Sequence, residues 1–70
     1  KMLPPTLPPI TPPYTIMTTP KDLRLHAPIK YEEVFSDRII DNRLEMTMIT
    51  GRIVIVFLED IRTITIKNKE

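Results

Sequence analysis

Residues Arg43 to Lys67 alternate as a pleated sheet demands. Leu44, Met46 and Met48 are separated by Glu45 and Thr47, the period-two pattern of a half-buried strand. Thr50-Gly51 marks a tight turn. Ile53 to Leu58 is apolar at every position, and Glu59-Asp60 marks a second turn. Ile64 and Ile66 then alternate with Thr63, Thr65 and Lys67. The pattern predicts three antiparallel strands, with the two-faced one in the middle.

That two-faced ribbon sets the problem the chain must solve. An antiparallel sheet with one solvated face shows polar residues on that face. Here Ile53, Ile55 and Phe57 point one way and Val54, Val56 and Leu58 the other. Leaving three such side chains in water forgoes about 1.5–3 kcal/mol each. Both faces therefore need a cover, and the partner-binding expectation falls on Val54, Val56 and Leu58.

Upstream, Tyr31, Val34, Phe35, Arg38 and Ile39 recur at helix-like spacing. The preferred reading is a short helix over Tyr31 to Ile39, able to cover one face of the ribbon. Lys30-Tyr31-Glu32-Glu33 would be its first turn, with acids near the positive end of the helix dipole. The alternative for residues 29–42 is a strand, with Asp41-Asn42 turning a hairpin into the next segment.

Seven of the eight prolines lie between Lys1 and Pro20. They include three Pro-Pro pairs at a period of four, in Pro4-Pro5-Thr6-Leu7, Pro8-Pro9-Ile10-Thr11 and Pro12-Pro13-Tyr14-Thr15. Each proline fixes its own φ and keeps the preceding residue extended. Residues 1–20 thus read as an extended, polyproline-like arm. Its apolar residues Leu7, Ile10, Tyr14 and Ile16 suggest that it lies against a surface, because a solvated linker is polar. Residues 21–28 are a connector between Pro20 and Pro28, and 29–70 form the domain. The expected fold is small and β-rich or α+β: a three- to four-stranded antiparallel meander, one short helix and the leading arm.

Composition narrows the chemistry. About 40 domain residues lie near the lower size limit for folding without a staple or a partner. Cysteine is absent, so no disulfide or thiol chemistry is available. His26 is the only histidine, too few nitrogen and sulfur ligands for zinc. Glu32, Glu33, Asp37 and Asp41 lack the Gly-containing loop of a calcium site and read as a solvated face paired with Lys30, Arg38 and Arg43. Ser36, the only serine, has no neighbouring base and no nucleophile-elbow motif. The expectation is a non-enzyme with no cofactor and no metal.

Net charge is +1. Arg43, Arg52, Arg62, Lys67 and Lys69 could form a small basic patch, but aromatic residues for base stacking are scarce. The longest apolar run falls far short of the roughly 20 residues of a membrane span, and prolines rather than an apolar helix former follow Lys1, so neither a span nor a signal peptide is read. Location is left open between the cytoplasm and a viral particle.

These features lead to a structural or assembly subunit that forms a homo-oligomer or staples onto a larger protein complex, of which a viral shell is one example. The arm would dock with little loss of entropy, and the segments Leu44 to Ile49 and Ile61 to Lys67 would offer sheet edges. One alternative is an adaptor that presents a polyproline ligand through Pro5 to Pro8 or Pro9 to Pro12. The basic residue that usually accompanies such motifs is missing, and Tyr14 misses the PPxY spacing by one residue. Another alternative is a small nucleic-acid-binding barrel.

Overall fold

A computed structural model describes residues 9–69. The strands are β1 (Tyr14–Pro20), β2 (Ile29–Ile40), β3 (Arg43–Met48), β4 (Ile53–Phe57) and β5 (Ile61–Asn68). All neighbours are antiparallel, in the order β4-β3-β2-β1-β5. Among the described residues the one helical piece is a 3₁₀ turn at Leu58–Asp60.

This corrects three expectations. Residues 31–39 are strand, not helix. The apolar ribbon is an edge strand, not a central one. Tyr14–Pro20, read as the end of the arm, is a sheet strand paired on both sides. Residues 1–8 of the arm, including Leu7, lie outside the described residues.

Alternation explains β1. Tyr14, Ile16, Thr18 and Pro20 are buried, and Thr15, Met17 and Thr19 are not. Proline lacks a ladder donor and is confined to sheet edges, strand starts and bulges, and Pro20, the last residue of β1, sits at a register shift against β5 between Thr19 and Pro20.

The length of β2 governs the shape. Its first half pairs with β1 from Ile29 to Val34, and its second half with β3 from Val34 to Ile40. A straight 12-residue strand would span about 40 Å. Yet Phe57, opposite Arg43 beside one end of β2, is followed within four residues by Ile61, opposite Pro20 near the other end. Four residues reach at most about 14 Å, so the sheet has to double back. Register shifts fall between Tyr14 and Ile16 against β2, and between Val34 and Ser36 against β3. Extra residues of this kind bend and twist a strand. Glu33 takes φ +64° at the first shift.

The doubled sheet encloses Tyr14, Ile16, Val34, Leu44 and Met46, with Tyr31, Met48, Val54, Val56, Leu58 and Ile64 packed against them. Asp41 and Asn42 link β2 to β3 with φ of +50° and +59°. Positive φ at both central residues of a two-residue loop gives the hairpin turn whose twist matches its strands. Gly51, at φ +91°, serves the turn before β4. No ladder joins β4 to β5, so the sheet stays open between its two edges.

Candidate interaction surface

The faces of β4 follow from its pairing with β3. Leu44 stands opposite Val56 and Met46 opposite Val54, which places both valines on the inner face. The outer face carries Ile53 opposite Thr47, Ile55 opposite Glu45 and Phe57 opposite Arg43. These outer side chains are 62%, 47% and 57% exposed. Contiguous exposed apolar area of this kind marks interaction sites more often than scattered single residues do.

Inland of the stripe lies a charged group. Arg38 Nε donates to Glu45 Oε1 at 2.9 Å, and Arg43 Nε lies 3.2 Å from Glu45 Oε2. Arg43 Nε is buried but lacks an aligned hydrogen-bond acceptor, so its link to Glu45 is one of charge. The stripe thus has a polar flank on β3 and an open backbone edge on its other side.

The residues singled out from sequence separate into distinct environments. Ile10 is exposed. Its neighbours are held to the end of β5, because Thr11 N–H donates to Asn68 Oδ1 at 2.9 Å and Asn68 Nδ2 donates to the Pro9 carbonyl at 3.3 Å. Tyr14 and Ile16 are in the chain's own core, and Val54, Val56 and Leu58 are half-buried against it. The outward stripe Ile53, Ile55 and Phe57 is the other half of the same ribbon. The two-faced pattern was its signal in the sequence, but period two alone does not say which half turns inward.

The edges also move. Leu44 to Ile49, named as a free edge, lies largely in β3, which is flanked by β2 and β4. The open edges are β4 and β5.

Chemistry elsewhere is sparse. A shallow groove of about 310 Å³ lies over β1, β2 and β5 and is lined by Lys30, Lys67 and Lys69 among threonines, Met17 and Glu32, without an aromatic residue. Lys69 Nζ donates to Glu33 Oε1 at 2.6 Å. That hydrogen bond, with the Glu33 charge, raises the Lys69 pKa. Among the described residues no group of three or more His, Cys, Asp or Glu is placed to hold a metal ion, and no helix is long and apolar enough to cross a membrane. Comparison with protein-family models, curated proteins and solved structures found no match for this chain.

Proposed function

We propose that this chain is a non-enzymatic assembly subunit that oligomerises or joins a larger protein complex through its open sheet edges and its proline-rich arm. The observation that carries the reading is the stripe Ile53, Ile55 and Phe57, which is half-exposed or more and stands on an edge strand without a charge. Natural sheets blunt their edges with lysine, proline or bulges, because an unpaired apolar edge recruits other chains. β4 has none of these devices, which fits an edge that is covered in use. Ile10, exposed beside the end of β5, adds an apolar contact where the arm leaves the sheet.

Sedimentation of the full chain over a wide concentration range, followed by native mass measurement with partners retained, tests the reading. The expected result is association that weakens when Ile53 and Phe57 are both replaced by Thr. A folded monomer at every concentration that also carries no partner in its native state overturns it.

A further inference from the structure

We infer that β4 pairs with β4 of a second copy of this chain, antiparallel, about a two-fold axis at Ile55. The inference rests on the assembly reading and specifies its partner and its edge.

The backbone sets the first condition. Met48 N–H donates to the Arg52 carbonyl at 2.8 Å, and Leu58 N–H donates to the Asn42 carbonyl at 3.0 Å. Bonded pairs recur at every second residue of an antiparallel ladder. Between those two bonds, Val54 and Val56 therefore direct their backbone groups toward β3. The N–H and C=O of Ile53, Ile55 and Phe57 point to the open edge. Two-fold pairing centred on Ile55 sets Ile55 against the partner's Ile55 and Ile53 against the partner's Phe57. Every edge-facing donor then meets an edge-facing acceptor. A shift by one residue would set these groups against residues whose own groups are already bonded to β3.

Side chains set the second condition. Ile53-Val54-Ile55-Val56-Phe57 reads nearly the same in both directions. In the two-fold register Val54 meets the partner's Val56 on the inner face, and isoleucine and phenylalanine meet on the outer face. Cross-strand apolar pairs of this kind stabilise a sheet. No charge lies on the strand to oppose the approach.

The other open edge is the poorer candidate for self-pairing. β5 carries Arg62 and Lys67, and charged side chains on an edge strand are one of the devices by which natural sheets discourage edge-to-edge pairing. A two-fold β4 contact is isologous and closes on itself as a dimer, whereas β4 on the partner's β5 would be heterologous and would propagate to a ring or a fibre.

The test uses charge at the axis. Ile55 is half-exposed on the outer face, so Ile55→Lys and Ile55→Glu leave the inner packing untouched, and circular dichroism confirms the fold of each. By sedimentation the unaltered chain is expected to be a dimer. Each variant alone is expected to be a monomer at the same concentration, and their equimolar mixture a dimer again. Thr65→Lys on β5 is expected to leave the dimer intact.

Four results overturn the pairing: an unaltered chain that stays monomeric, a dimer that survives Ile55→Lys, a mixture that stays monomeric, or a dimer lost with Thr65→Lys. An assembly indifferent to position 55 but abolished by Ile10→Asp overturns this pairing and leaves the assembly reading standing. An unaltered chain that is monomeric and carries no partner in its native mass overturns both.

Discussion

The Tyr14 hydroxyl on β1 donates to the Asp37 carboxylate on the second half of β2. The bond therefore links the two parts of the doubled sheet across its inner face. Burial of Tyr14, then the hydrogen bond to Asp37, then the Asp37 charge raise the phenol pKa well above the ordinary tyrosine range. Each favours the neutral phenol over phenolate.

A folded-state pKa above the unfolded value makes stability fall as pH rises. The Tyr14 contribution is complete below the unfolded tyrosine value of about 10 and is lost as pH climbs above it toward the folded value. Urea unfolding from pH 8 to pH 11.5 should show a decline that is shallower in Tyr14→Phe. At neutral pH Tyr14→Phe should cost about 1–2 kcal/mol, as expected for a hydrogen bond to a charged group at a partly exposed site. Asp37→Asn should lower the Tyr14 pKa, read by ultraviolet titration, but leave it above the usual range, because burial is the larger cause. An equal decline in the chain and in Tyr14→Phe would refute the assignment.

Glu45 binds two arginines unequally. Arg38 is largely solvated, whereas Arg43 has a buried Nε and depends on Glu45 for compensation. Glu45→Ala should cost about 1–3 kcal/mol by leaving the Arg43 charge without its counterpart. Arg38→Ala should stay below about 1 kcal/mol, as exposed pairs do. Denaturant midpoints for the two variants give the comparison, and equal losses would contradict it.

Much of the sheet was legible where the pleat is regular. The alternation in β3 and the division of β4 into two faces follow from period two, whereas the Asp41-Asn42 turn, signalled by residue type, belongs to the strand alternative for residues 29–42 and not to the preferred helix. β2 was misread for a physical reason. The register shift at Glu33 places Tyr31 and Val34 on the same inner face three residues apart, and that spacing is also the i, i+3 spacing of a helix face. β1 was hidden by the prolines around it, and by an inward face that includes Thr18 and Pro20. The ribbon's two apolar faces argued for a central strand under cover, but in the chain's own fold only its inner face is covered. Exposure of the outer face depends on strand order, which no local pattern contains.

Among the described residues three non-glycine residues hold positive φ: Glu33, Asp41 and Asn42. An L side chain in this region is strained by about 1–2 kcal/mol, less for Asn and Asp. Glu33→Gly should therefore raise stability by up to about 1 kcal/mol, offset by loss of the Lys69 contact. Asn42→Gly should be neutral or slightly stabilising, and Asn42→Val should cost about 1–2 kcal/mol because a β-branched side chain resists this conformation. Thermal unfolding of the three variants decides. A destabilising Glu33→Gly would mean that the side chain matters more than the backbone bend.

Ile10 and Ile16 belong to the same proline-rich stretch but have opposite surroundings, 44% and 0% exposed. Ile16→Ala should destabilise the isolated chain by about 2–4 kcal/mol, the transfer cost plus the cavity it leaves. Ile10→Ala should change stability by less than about 0.5 kcal/mol, as surface substitutions do. The same division runs through β4. Val54→Ala should lower unfolding stability by about 1–2 kcal/mol, because its side chain packs against the core. Ile53→Thr should leave the folded monomer nearly unchanged and act on association instead, since threonine keeps the β-branched shape that strands favour. Unfolding at dilute concentration and sedimentation at high concentration separate the two effects for each variant. If Ile53→Thr unfolds the dilute chain as much as Val54→Ala does, the outer stripe belongs to the fold rather than to a surface kept for a partner.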